Sequence, residues 1–284
     1  AEITDFWALV FSPSSMDRLS HVLMGCWQAA AWLVLSISAF YLLRRKHLDF
    51  AKTSMKIALV LALVASLGQL ASGHKSAVGV SKHQPAKMAA FEGHYEESAP
   101  APLYLFGWVN EKEERVQFGI KLPGMLSFLI HGNTQEPVTG LNAFAPEDRP
   151  PVNVVFQTYH LMVGIGMGLI GLSCLGVFLW WRGTLFETKW VLWLFVIAVL
   201  GPQITNQIGW MSAEVGRQPW IVYGLLRTPE GLSQNLVASH VMTSLILFTL
   251  IYFLLFIVFI YLLTKKITHG PVSDEDLEAS HHRE

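Results

Sequence analysis

An acid and a base stand at the end of one apolar run of this sequence: Glu214 and Arg217, within "GWMSAEVGRQPW" and framed by Trp210 and Trp220. Two other apolar runs carry side chains able to hold iron. His21 lies in "MDRLSHVLMGCWQ", and Met162 lies in "VFQTYHLMVGIGMGL", two residues after His160. His240 opens the last run. An imidazole and a thioether reaching one point from two helices suit a low-spin heme iron, which takes His/Met axial ligation. The same residues fit plainer roles. An intramembrane His can be a hydrogen-bonded packing residue, Met fills cores, and Glu214 with Arg217 can be an interfacial ion pair anchored by tryptophans. Gly164, Gly166, Gly168 and Gly171 let a neighbouring helix, or a flat ring, approach closely. Pattern alone leaves these alternatives open.

The elements that position these groups are membrane spans. Of 284 residues, 52% are hydrophobic and only 14% charged, which lies outside the range of ordinary soluble domains. The net charge of −1 gives a nucleic-acid partner no electrostatic support. A bilayer crossing needs about 20 apolar residues, and five stretches supply them: 19–43, 53–72, 152–181, 189–209 and 236–264. With no water to satisfy the backbone, these are helices. Cys26 and Cys174 fall inside such runs and read as small buried hydrophobes.

Charge asymmetry orients the spans. Arg44, Arg45, Lys46 and Lys52, then Arg182 and Lys189, then Lys265 and Lys266 all fall on one side by parity. The positive-inside rule makes that side cytoplasmic and places the N-terminus, 73–151 and 210–235 outside. Residues 1–18 lack a basic start, so they read as an interfacial lead-in rather than a cleavable signal; residues 265–284 form a cytoplasmic tail. His21 lies 23 residues before Arg44, and Met162 lies 20 before Arg182. At 1.5 Å per residue both sit roughly 30–35 Å above the inner surface. Glu214, 25 residues past Lys189, is also near the outer edge, although Pro202 must perturb that helix.

Residues 73–151 break the helical pattern. "PLYLFGWVNEKEERVQFGIKLP" reads as a hairpin around an acidic turn. "PAKMAAFEGHYEE" opens with Pro at a first helical turn and places Lys87 and Glu92 five residues apart. A solvated helix with ordinary surface charges is the plain reading of that stretch, although loops of this length are also frequently functional.

Taken together, the residues resemble subunit I of the cytochrome bd quinol oxidases. "GWMSAEVGRQPW" is similar to that family's Gly-Arg-Gln-Pro signature, "RLSHVLMGCW" and "HLMVGIG" to its heme-ligand stretches, and "AKMAAFE" to its quinol-loop motif. The resemblance implies an all-α membrane protein of five transmembrane helices, with 73–151 as an extracytoplasmic quinol loop containing the hairpin. It implies that His21 and Met162 hold a low-spin heme b, and that Glu214 ligates a high-spin heme b. Trp210 would lie on the electron path between them, and Arg217 would neutralise propionates. Lys87 and Glu92 would bind or deprotonate quinol.

The implied function is a quinol-oxidising oxidoreductase subunit, incomplete alone, which passes electrons toward an oxygen-reducing site finished by another chain. The implied setting is a bacterial or archaeal plasma membrane and its quinone pool. This sequence resembles only the last five of the family's nine or so spans. A partner chain would then supply an N-terminal four-helix half, with heme d shared between the chains, beside a subunit II-like membrane protein. A chain lacking that half also fits an electron-transfer subunit wiring the quinone pool to a partner other than oxygen. One departure stands out: where the family often has Arg two residues before the Met ligand, this chain has His160, which can pair with a propionate only while protonated.

Overall fold

A computed structural model describes residues 5–233, 235 and 237–272; residues 1–4 of the lead-in and 273–284 of the tail lie outside them. A short helix α1 (Phe6–Val10) leads into α2 (Pro13–Arg44), which turns sharply into α3 (Leu48–His83). The turn uses left-handed backbone at Arg45 (φ 54°) and His47 (φ 48°). Helix α4 (Pro85–Glu92), the strands β1 (Leu103–Asn110) and β2 (Arg115–Leu122), and helix α5 (Met125–His131) make up the long loop, and the end of the bundle that carries it is termed the outer end. The membrane is then re-entered by α6 (Val152–Trp181), by α7 (Lys189–Ala198) continuing as α8 (Leu200–Val215), and, after the small ladder β3 (Trp220–Val222)/β4 (Leu226–Arg227), by α9 (Ala238–His269).

Among the described residues, five helices are long and apolar enough to cross a membrane. The hairpin is antiparallel, from Leu103 opposite Leu122 to Asn110 opposite Arg115. The break between α7 and α8 falls at Val199, where Pro202 cannot donate to the carbonyl of Ala198 four residues back.

Several expectations need correction. Helices α2 and α3 outrun their apolar stretches, starting at Pro13 and ending at His83, because α3 continues as a small-residue and basic helix above the hydrocarbon. Trp210 and Glu214 lie on α8, not in a loop, since no breaker intervenes before Gly216. Cys26 and Cys174 are exposed on the helix surfaces: a residue in a membrane span can be covered by lipid and needs no protein around it. Helix α4 is not a solvated helix, for every residue from Ala86 to Glu92 is buried.

Two cores result. The inner one joins α2, α3, α6 and α7 through Trp32, Leu35, Met55, Leu59, Leu169 and Phe195. Trp32 meets Phe195 edge-on, with ring centroids 5.8 Å apart. Gly176 permits the fit, since a Cβ there would stand 2.8 Å from Phe195 Cζ and 2.9 Å from Leu59 Cδ1. Inside a bilayer such a core is held by close packing rather than by escape from water. The outer core lies under the loop, where Met88, Phe91, Leu126, Leu141, Val155 and Phe156 pack together. Helix α9 has no buried residue; near its inner end the Tyr41 hydroxyl donates to the Ile267 carbonyl (2.8 Å).

Candidate functional site

Between the two cores lies a polar layer, and most of the sequence-derived site residues sit in it or on its outer rim. On α2, His21 faces α3. Its Nδ1 is 3.0 Å from Ser72 Oγ, and its Nε2 is 2.9 Å from Gln69 Nε2. Gly73 lets the ring lie against α3, for a Cβ there would be 3.3 Å from His21 Cε1. Met162, on α6, faces α8, and its Sδ lies where Gly209 leaves space (2.7 Å from a would-be Cβ). One turn inward from His21, Gly25 meets Asn206 of α8, with Oδ1 2.9 Å from a would-be Cβ. Gly209 is one turn outward from Asn206, so His21 and Met162 share a level on either side of the α2–α8 contact. Neither buried apolar core fills that level.

The glycines of α6 behave differently from Gly176 and Gly209. Among the described residues, nothing lies within 4 Å of a Cβ built on Gly164, Gly166, Gly168 or Gly171. They leave an open strip along α6 beyond Met162.

Lys87 and Glu92 are both buried on α4 and point to different helices. Lys87 Nζ donates to the Ala213 carbonyl of α8 (2.7 Å) and lies 5.7 Å from the centre of the Phe91 ring. Gly216, at the end of α8, admits its stem: a Cβ would stand 3.2 Å from Lys87 Cγ. Burial, then the positive charges of Arg18 and Arg217, bring the Lys87 ammonium down to about 8. Glu92 is 2% exposed and its Oε2 has no hydrogen-bond partner; burial pushes its carboxyl up to about 8. Burying such groups without ion pairs is costly, and perturbed pairs of this kind mark functional sites.

His160 sits against the same carboxyl, with Nε2 3.9 Å from Glu92 Oε2. Its Nδ1 faces the Phe156 carbonyl (2.9 Å) and its Nε2 the Tyr104 carbonyl (2.7 Å). Carbonyls only accept, so a neutral ring donates to one of the two and rests against the other. His160 is thus engaged with the loop and Glu92 rather than held free for a propionate.

Glu214 and Arg217 pair with each other across one turn at the end of α8. Both are partly exposed, and Trp210, one turn earlier, is 67% exposed. These residues line the outer surface of the bundle, not its interior. His240, in the first turn of α9, is exposed and joins none of these groups.

A heme fits this donor set at His21 and Met162. The imidazole presents an Nε2 lone pair, the thioether faces the same layer, and the half-buried Gln69 beside them has a buried, unpartnered Oε1. Arg18, Lys87 and Arg217 supply positive charge at the rim, suited to carboxylates. Among the described residues, no group of three or more His, Cys, Asp or Glu gathers to bind a bare metal ion. Ser72 and Gln69 are the residues that sequence reasoning missed. Counting depth along α3 as along α2 would have found them, for they lie 20 and 17 residues beyond Lys52.

The chain matches the family model described as cytochrome bd terminal oxidase subunit I over residues 1–271. It is 34% identical over 284 residues to the cytochrome bd ubiquinol oxidase subunit 1 of Bacillus subtilis (strain 168), covering 96% of this chain and 61% of that protein. It is 33% identical to the putative cytochrome bd menaquinol oxidase subunit I of the same organism, covering 98% and 63%. Against the cytochrome bd-II ubiquinol oxidase subunit 1 of Escherichia coli (strain K12) the identity is 28%, covering 95% and 65%. The solved bd oxidase from Geobacillus thermodenitrificans superposes with a TM-score of 0.84 at 30% identity, over 94% of this chain and 61% of that one. The chain therefore spans a little under two thirds of the length of the relatives it matches. It belongs to the cytochrome bd terminal oxidase subunit I family.

Proposed function

We propose that this chain is the heme-b-binding, quinol-oxidising subunit of a cytochrome bd-type oxidase, with the oxygen-reducing site completed by further polypeptide. The observation that carries this reading is the burial of Lys87 and Glu92 on one short helix, unpaired with each other, at the outer end of the polar layer. Quinol oxidation releases two protons, and Glu92 Oε2, free of hydrogen bonds, is placed to accept one. His160, 3.9 Å away, takes up or balances the charge that Glu92 gains or loses. Lys87 presents an ammonium to the quinol oxygen while anchored to Ala213 on α8, the helix of Trp210 and Glu214. Arg217 holds Glu214 and gives the rim a positive field.

His21 and Met162 would hold a low-spin heme b and Glu214 a high-spin one; bound heme supplies one-electron acceptance and onward transfer. Trp210, on α8 one turn before Glu214, would carry electrons between the two hemes. The basic segments at Arg44–Lys46, Arg182 and Lys265–Lys266 orient the chain with its loop outside. The membrane partners are a subunit II-like chain and the polypeptide corresponding to the remaining third or more of the relatives' length.

A reduced-minus-oxidised spectrum of the complex purified from its native membrane, read beside its subunit bands, tests the reading. A low-spin b signal that turns high-spin or drops in potential in Met162→Ala is the expected result. An unchanged low-spin spectrum and potential in that variant would overturn it.

A further inference from the structure

Three hydrogen bonds around His21 close a ring whose directions are fixed by chemistry. The Ser72 hydroxyl lies 3.2 Å from the Gln69 backbone carbonyl, which can only accept, so the single hydroxyl proton is committed there. Ser72 Oγ must then accept from His21, which places the imidazole proton on Nδ1 (3.0 Å). The Gln69 side-chain amide nitrogen can only donate, so at 2.9 Å it caps the lone pair on Nε2. All three statements agree on one tautomer. Gly73 adds a wall on which the ring rests, 3.3 Å from a would-be Cβ.

From this ring we infer that Ser72 is a positioning residue for the heme ligand: its hydroxyl fixes the His21 tautomer and turns Nε2 toward the polar layer, with Gln69 a removable cap on that nitrogen. The inference rests on the reading of His21 as an axial ligand. Gln69 has little to lose by moving, since its Oε1 is buried without a partner while the amide caps the ring. Ser72 is different. It binds the nitrogen that iron would not take, and an acceptor on that N–H makes the ring a stronger donor. A stronger donor favours ferric over ferrous iron, so losing the acceptor raises the midpoint potential. A neutral hydroxyl polarises the ring less than a carboxylate would, which leaves room to shift the potential in both directions.

Three variants in the complex, in its native membrane, test this by redox titration of the low-spin b signal. Ser72→Ala keeps the low-spin band and raises its midpoint. A tenfold change in the relative stability of the two oxidation states reads as about 59 mV for one electron, and a shift of that order is the expected result. Ser72→Thr, which keeps a hydroxyl, returns the midpoint toward wild type and separates the hydrogen bond from damage to packing. His21→Ala removes the low-spin band altogether. An unmoved midpoint in Ser72→Ala, with the band lost in His21→Ala, overturns the role of Ser72 and leaves the ligand assignment standing. A low-spin band that survives in His21→Ala overturns both. Should Ser72→Ala fail to assemble, a midpoint in Ser72→Thr displaced as far as in an alanine variant at Gly73 would also overturn the inference, because crowding of the ring would then explain the shift.

Discussion

The inner and outer halves of this bundle are built from the same helices and obey opposite rules. The inner half is closed by Trp32, Leu59, Leu169 and Phe195, all essentially without exposure. Its glycine, Gly176, is filled on the outside by neighbouring side chains. The outer half holds His21, Gln69, Ser72, Glu92 and Lys87; among the described residues Gln69 Oε1, Glu92 Oε2, Ser76 Oγ, Gln84 Oε1, Tyr95 Oη and Ser212 Oγ are buried there without a partner, against Trp32 Nε1 alone in the inner half. Well-packed helices need no unsatisfied polar atoms, and natural proteins tolerate few of them. The difference teaches that the inner half exists to be rigid, and that the outer half carries costs which only a function offsets.

The largest test of that contrast is Glu92→Gln. If the outer half is arranged for proton transfer, removing its acceptor lowers quinol oxidation by about 10²–10⁴-fold, the range for a lost general base. The pH profile carries the sign. Glu92, pushed up to about 8, must lose its proton to act, so the wild-type rate rises with pH toward 8. Lys87, brought down to about 8, loses its charge above that value, and the rate falls again. Steady-state rates between pH 5 and 10 should show this bell in wild type, and no acid limb in Glu92→Gln. A variant retaining both rate and limb would erase the distinction between the halves.

The same substitution tests the cost directly. With its folded value raised from an ordinary 4.5 to about 8, Glu92 is tolerated while neutral. Stability is therefore full below about pH 4.5, falls as pH rises, and levels off above about 8. At 1.36 kcal/mol per unit the swing is about 4–5 kcal/mol. Thermal melting of the solubilised complex should show a decline with pH that Glu92→Gln abolishes. Parallel melting curves for the two proteins would mean that the carboxyl is solvated after all.

Leu59→Ala probes the other half. A cavity between Trp32, Phe195 and Gly176 should cost about 2–5 kcal/mol, read as a lowered melting temperature. The low-spin b midpoint should stay in place, because Leu59 belongs to the packed region and touches none of the outer groups. A midpoint that moved with it would show that the halves are coupled.

The two halves were also unequally legible in the sequence. The five spans follow from apolar length, and the hairpin from two runs around "NEKEE". His21 and Met162 could be placed at one depth because helical rise is constant. The burial of α4 could not be read, since Lys87 and Glu92 look the same on a solvated helix as on one wedged between α6 and α8. The upper part of α3 escaped because "ASGHKSAVGVSKH" lacks the apolar density that marks a span. The β3–β4 ladder is too short for any periodicity to show. Cys26 and Cys174 were misplaced for a different reason: hydropathy reports avoidance of water and does not separate lipid from protein.

The smallest effect gives the sharpest comparison, because it lies one turn from a large one. Lys75 and Asp17 form an ion pair of 2.8 Å that joins α3 to α2 just outside Ser72 and His21. The Lys75 side chain is 74% exposed, and pairs so exposed contribute between zero and about 1 kcal/mol and weaken with salt. Lys75→Ala should therefore change melting by a degree or two at low ionic strength and by nothing measurable in high salt. It should leave the low-spin b midpoint where it was. The two substitutions remove contacts between the same helices at nearly the same height, so they differ only in whether the lost group reaches the imidazole. A midpoint shift in Lys75→Ala equal to that in Ser72→Ala would assign control of His21 to the spacing of α2 and α3, and remove the hydroxyl from the account.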